Sequence, residues 1–552
     1  MTAAARGSEA PARWTASKMI GHRSALTAAA VLAGLVALML PPFLVSVPPI
    51  VDYPNHYVRM WLIAGGAELQ PLSDFYLVDW SRTVTNIAID LAAAAFGPLV
   101  GMERLGPLLL ALSLVIPPLG CVVLNRSLFG GWHWWQIGFA ALGWSGTALM
   151  GFMNFQMGLG LALMAAATDP ALRARGPAAA ILGRTAFGAL LIIFHPFDVL
   201  FYAAIIGGLT LGPRFNLFAR DAWRAITKGV LLCTPALAPL AAALLLAPSA
   251  PGAEADGYPA IIMGALPGRV LLPFVGIRSY GPALDFPVLL AALWIPGIAA
   301  LQRRLQVHAG LLLTAGLLMV VGLFVPHKLG DTFYTDYRLP IMAWLLAAAS
   351  VRPGVGWPPR AAGVLGAGLL ALVLSRTAAI QWIWSERQAD VQAVRQAFAT
   401  LPKGAKVIPV VHLGPESQGR HAPLGRFPGG NVSFWHYAVL LIPERQAYTP
   451  TLFTAAGKQP VSVRPAYSDM DSPNSPVLGI GALRKPYDRL PQVVDYARGW
   501  REKFDYVLVL NADLPEEGIR DPRVPGLQPV ADTGFAQLFR IERASAVAQP
   551  SR

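Results

Sequence analysis

The sequence predicts a polytopic α-helical membrane protein carrying a C-terminal α/β domain, and three observations predict it. Only 14% of the 552 residues are charged and 55% are hydrophobic, whereas soluble domains carry about 25% charged residues. Apolar runs recur up to residue 380, and many reach the roughly 17–25 residues that cross a bilayer. From residue 381 the pattern changes to mixed polar segments with short β-type runs.

The N-terminus, Met1 to Arg23, is polar and basic. The apolar run 25–47 exceeds the about 7–15 residues of a signal-peptide core, so it reads as a retained first span. Pro41 and Pro42 should kink its outer end. Further spans are expected at 104–124, 136–153, 157–168, 178–194, 197–212, 229–248, 286–301, 309–325, 339–351 and 361–380, giving about eleven.

With the N-terminus inside, the inner segments hold most of the cations, among them Arg126, Arg173, Arg175, Arg214, Arg220, Arg224, Lys228, Arg303, Arg304, Arg352 and Arg360. The outer loops before residue 380 hold fewer over a greater length, which is the positive-inside asymmetry. Making Thr83 to Gly101 a span would invert every later loop. That stretch is therefore laid along the outer interface, where Asp90 stays wet. The region from Gln136 to Thr168 is too long for one helix and short for two. Arg126 and Arg173 both belong inside, so it reads as two short helices broken near "GFMNFQMG".

An odd number of spans sends the C-terminal region outside. The division is a transmembrane domain over 1–380, with a long first outer loop over 48–104, and a compact extracytoplasmic α/β domain over 381–552. "SERQADVQAVRQAFATLP" reads as an amphipathic helix ended by Pro402. "AKVIPVV", "FDYVLVLN" and "FAQLFRIER" read as strands, with helical runs such as "LPQVVDYARGWREKF" between them. "PLGRFPGGNV" lacks a leading strand at the spacing of a phosphate-binding turn and reads as a loop. The aromatic cluster around His436, in "FWHYAVLLIPERQAY", reads as core packing rather than a glycan platform. The tryptophans, including "GWHWW" at Gly131 to Trp135, read as interfacial anchors.

Several function classes recede. The net charge of +13 is a topology signal and implies no nucleic-acid partner. Cys121 and Cys233 lie inside apolar runs and offer neither a disulfide framework nor metal spacing; they read as small buried side chains. No internal repeat, P-loop or dinucleotide fingerprint is present.

The unusual polar residues fall on the outer side of this topology. Asp52, His56 and Arg59 follow the first span. Asn154 and Gln156 sit at the outer break between the third and fourth. His195 and Asp198 lie in the turn "FHPFDVL", and His327, Lys328, Asp331, Asp336 and Arg338 in "PHKLGDTFYTDYRLP". Ionisable groups at membrane depth are costly and are functional candidates by default. Together they suggest a polar chamber that the first loop and the C-terminal domain cover. Each also has a plain reading: Asp52 two residues before Pro54 suits a helix cap, Lys328 and Arg338 suit snorkelling anchors, and Asn154 and Gln156 suit carbonyls freed at a helix break.

The chain resembles the GT-C superfamily of multi-span glycosyltransferases, which take sugars from polyprenyl-linked donors. The likeness rests on the Asp in "VDYPNH" after the first span, the long first outer loop, the "DYRLP" start of a late span, and the soluble outer C-terminal domain. It implies a sugar transfer from a polyprenyl-(pyro)phosphate to a glycan, lipid or protein acceptor at the extracytoplasmic face of the cell (inner) membrane. The position matching the superfamily's catalytic acid is Asp52, although Tyr53 follows it where many members have a second acid. Asp52 would then accept the acceptor proton, with His56 orienting it or the substrate. Arg59, His195, His327, Lys328 and Arg338 would bind substrate or phosphate, and Asn154, Gln156, Asp331 and Asp336 would complete the pocket. No cofactor is implied by spacing; a divalent metal bridging a pyrophosphate would use Asp52, Asp331 and His195. The competing readings are a lipid-linked glycan transporter or flippase, a non-catalytic membrane scaffold, and a polymerase or ligase of lipid-linked glycans.

Overall fold

The computed structural model describes residues 10–81, 83–246, 259–330, 332–413, 432–455, 457–472, 477–485 and 492–543. Asp331 and most of the "PLGRFPGGNV" segment lie outside them. The chain is mostly helical up to residue 397 and builds a small sheet-containing region after it. Six helices are long and apolar enough to cross a membrane: Ser24–Phe43, Met102–Phe129, Pro177–Phe194, Ala222–Leu245, Pro282–Leu301 and Pro359–Ala397. Shorter apolar helices include Ala88–Val100, Pro196–Leu211 and Ala309–Gly322. The protein is thus a multi-pass helical membrane protein by length and composition.

The awkward stretch after Gln136 is solved by a change of helix type. Trp134–Gly143 is a 3-10 helix, followed by the short α-helix Gly146–Met150 and then by Met153–Ala174. A 3-10 helix rises about 2.0 Å per residue against about 1.5 Å in an α-helix. Few residues therefore run from one end of the bundle to the other. At one limit the His133 ring bonds Asn125. At the other the Asp52 amide donates to Met150 O. Gly143 permits the passage, since a Cβ there would lie 2.6 Å from Leu114 O.

The two ends of the bundle are chemically distinct. At one end Asn125 donates to Ala349 O and Val351 O, and Arg352 donates to Phe129 O. The short strands Gln306–Val307 and Val351–Arg352 pair there, and the Gly310 amide reaches Gly212 O. Arg126 covers the Trp132 ring at 3.9 Å. At the other end gather Asp52, Met150, His195, His327 and Arg338. Arg126 and Arg352 thus lie at one end, and Asp52, His195 and Arg338 at the other.

Four expectations need correcting. Pro41 and Pro42 do not kink a longer helix: the α-helix ends at Met39 and Pro41–Phe43 is a 3-10 turn. The span at 361–380 and the amphipathic helix after it are one continuous helix, Pro359–Ala397, about 58 Å long; no Pro or Gly interrupts it after Gly368. Trp134 and Trp135 are buried rather than interfacial. Trp134 stacks on Trp357, and the Trp135 indole donates to Ala348 O. Asp90 is fully buried rather than wet. Cys121 is buried, Cys233 half-buried, and both are free thiols.

In the C-terminal region the three β-type runs form the strands Val407–Val411, Tyr506–Leu510 and Ala536–Ile541. Val407–Val411 pairs parallel with Tyr506–Leu510 and with Leu478–Gly479, while Ala536–Ile541 and Leu527–Asp532 extend the sheet antiparallel. The parallel strands are almost wholly buried, which accounts for their unbroken apolar sequences. A second small sheet fastens this region to the first loop: Tyr76–Val78 pairs with Val461–Val463. Gln388 bonds Ser46 and Val47, and Arg395 reaches Ser46 and Glu444.

Candidate functional site

The Asp52 carboxylate is not a helix cap. Asp52 precedes the Tyr53–Ile63 helix, yet its side chain accepts no bond from that helix. It approaches His436 of the C-terminal domain instead, Oδ1 to Nε2 3.5 Å. This approach needs Gly151, at φ +96°, where a Cβ would lie 2.9 Å from the Asp52 Cβ.

Asn55 fixes the proton on His436. The Asn55 Oδ1 accepts from the Phe453 amide, and Nδ2 donates to Thr451 O. Those two backbone partners set the amide orientation, so Nδ2 faces His436 Nδ1 at 3.2 Å. Nδ1 is then the acceptor, and the ring proton sits on Nε2 toward Asp52. An amide, an imidazole and a carboxylate thus stand in line across the joint between the first loop and the C-terminal domain.

Arg338 lies deep on the other side. Its Nη1 donates to Phe333 O and Tyr334 O, and its guanidinium sits over the rings of Phe152, Phe155 and Phe197 at 4.7–5.7 Å. Among the described residues its Nε has no hydrogen-bond partner. Asp52, Asp198 and Asp336 are close enough to act on it electrostatically. Asp198 is fully buried, and among the described residues neither carboxylate oxygen is bonded. It packs where only glycine fits, since a Cβ on Gly158 would fall 1.8 Å from its Oδ2. Buried polar atoms without partners are rare and require water, an ion or a ligand.

His195 caps the Pro196–Leu211 helix, its Nδ1 accepting from the Phe197 amide. In the neutral ring that leaves the proton on Nε2. Its ring meets Phe155, which also lies under Arg338. His327 is held by Asp336, Nδ1 to Oδ1 3.1 Å, and packs between Tyr334 and Tyr337. Asp52, His195, Arg338 and the His327–Asp336 pair therefore belong to one end of the bundle, linked through Gly151, Phe152 and Phe155.

Other expected site residues serve the scaffold. Arg59 is fully buried and grips Asp90 with two bonds, 2.9 and 3.0 Å. It joins the Tyr53–Ile63 and Ala88–Val100 helices, and among the described residues its Nη1 has no partner. Asn154 accepts from the Ile89 amide and donates to Asn86, so it caps the Ala88–Val100 helix. Lys328 is buried, with Nζ on Pro259 O and near the Phe333 ring. Gln156 donates to Ser145 and Thr147, while among the described residues its Oε1 has no partner. His56 packs on Phe453. Burial, and next the neighbouring Arg59 charge, hold its imidazole well below the ordinary range. It is neutral at physiological pH and can orient groups but not supply a cation.

Among the described residues no three His, Cys, Asp or Glu side chains gather as a metal site. Sequence reasoning missed two contributors, His436 and Asn55. No spacing rule could find them, because the docking of the two domains brings them together. No family model matches the chain, and comparison with curated proteins gives no match either.

Proposed function

We propose that this protein is a GT-C-like membrane glycosyltransferase that moves a sugar from a polyprenyl-(pyro)phosphate donor to an acceptor at the extracytoplasmic face. The reading takes the sequence-based count of about eleven crossings with the basic turns cytoplasmic, so that the Asp52 end would face outside under the positive-inside rule. The single observation that carries the reading is the opposition of Asp52 and Arg338 at one end of the bundle, each with reactive atoms not used by its own helix.

The chemistry follows from those groups. Asp52 takes the proton of the acceptor hydroxyl as that oxygen attacks the anomeric carbon. The bond from that carbon to the donor phosphate breaks, and the negative charge grows on the leaving phosphate. Arg338 receives that charge through its unpartnered Nε edge, a geometry suited to phosphate. His436 Nε2–H orients the Asp52 carboxylate, and His195 Nε2–H supplies a further donor. The Phe152, Phe155 and Phe197 cage strips water from the guanidinium, which strengthens its action on an anion.

The test is donor use by protein in nanodiscs offered a panel of radiolabelled polyprenyl-phosphate sugars. Wild-type protein should release sugar from one of them, and Arg338→Ala should lose that activity far more than Arg278→Ala. No release from any donor, or equal effects of the two substitutions, would count against the reading.

A further inference from the structure

A cleft of about 1080 Å³ opens on the C-terminal domain, lined by Lys403, Arg501, Asp505, Arg540, Glu542 and Arg543, with Gln528 and Tyr506 between them. It is built from the turn after the Pro359–Ala397 helix and the antiparallel edge of the sheet, none of which lines the Asp52 site.

Its charges are unevenly satisfied. Arg543 is paired with Asp505 at 2.7 Å, and Glu542 is bonded by Gln528. Among the described residues the side chains of Lys403 and Arg540 have no hydrogen-bond or ion-pair partner, and both residues are exposed. Among the described residues Arg501 has no carboxylate partner either. Its guanidinium lies over the Trp500 ring at 4.3 Å. Gly526, at φ +76°, gives it room, since a Cβ there would lie 3.1 Å from its Nη1. A stacked guanidinium keeps its in-plane N–H groups free for an oxyanion.

We propose that this cleft binds a short anionic oligosaccharide, a chain of sugars bearing carboxylate or phosphate groups. Arg501, Arg540 and Lys403 take the anionic groups, while Glu542 and Gln528 accept bonds from sugar hydroxyls. The volume exceeds the roughly 300–1,000 Å³ of a site for one small molecule and suits several linked units. The two carboxylates on the wall disfavour a nucleic acid, whose continuous phosphate backbone needs an unbroken row of cations. The assignment stands independently of the transfer chemistry at Asp52.

The test is binding by the full-length protein in nanodiscs, measured calorimetrically with three probes: tetragalacturonate, a phosphorylated mannose oligosaccharide, and neutral maltotetraose. The expected result is that at least one anionic probe binds, that salt weakens it, and that maltotetraose does not bind. The two anionic probes separate carboxylate from phosphate recognition. Arg501→Ala with Arg540→Ala should weaken binding by roughly tenfold or more, as for loss of charge-assisted contacts. The exposed pair Lys403→Ser and Arg540→Ser, which leaves the Trp500 stack intact, should weaken it in the same direction. Failure of both anionic probes, equal binding of maltotetraose, or unchanged affinity in the folded surface variant would overturn the assignment.

Discussion

His436 of the C-terminal domain holds its Nε2 3.5 Å from the Asp52 carboxylate of the first loop. The domain is therefore part of the site and not an appendage. If His436 orients the carboxylate, His436→Ala should lower turnover by up to about 10²-fold, the scale of a misplaced reacting group. KM for the donor should change little. His436→Gln, which retains a donor, should recover part of the loss. Steady-state kinetics of the three proteins check this; equal rates would reduce His436 to packing.

The Arg59–Asp90 pair should govern stability and not chemistry. Both side chains are wholly buried, and removing one partner of such a pair costs about 3–5 kcal/mol because the other charge is left alone. Arg59→Met and Asp90→Leu should each lower the unfolding temperature in detergent. The double variant should regain most of it, with activity per folded molecule preserved. A double variant as unstable as either single one would show that the pair is not the source of the effect.

Asp471 supplies a pH signature of the C-terminal domain. Burial raises its carboxyl to about 7, against opposing bonds from the Thr454 hydroxyl and the Ser472 amide. The folded value lies above the unfolded one of 3.8. The neutral acid thus favours folding below the unfolded value, and that stability is lost as pH rises through about 7. Asp471→Asn should gain thermal stability relative to wild type as pH rises from about 5 to about 8. A difference independent of pH would contradict the shift.

The helical, multi-pass character is legible in the sequence, because long apolar runs report directly on segments that avoid water. The polar turns carrying Asp52, His195, His327 and Arg338 stand out for the same reason: charge beside apolar runs is costly. What pattern reading lacks is pairing across the fold. Asp90 looks wet in a linear sequence, since its partner Arg59 lies a loop away. Lys328 looks available until the Pro259 carbonyl is seen beneath it. The 3-10 form of Trp134–Gly143 is not legible either, because an apolar run does not distinguish it from an α-helix. His436 reads as core, and it is core; its approach to Asp52 exists only because the C-terminal region docks on the first loop, where Asn55 meets its ring.

The most direct measurement is sugar transfer by Asp52→Asn, purified with folding intact and supplied with the donor that wild type uses. Loss of a positioned general base predicts a fall of about 10²–10⁴-fold in turnover with donor binding retained. Transfer at the wild-type rate would contradict the role assigned to Asp52.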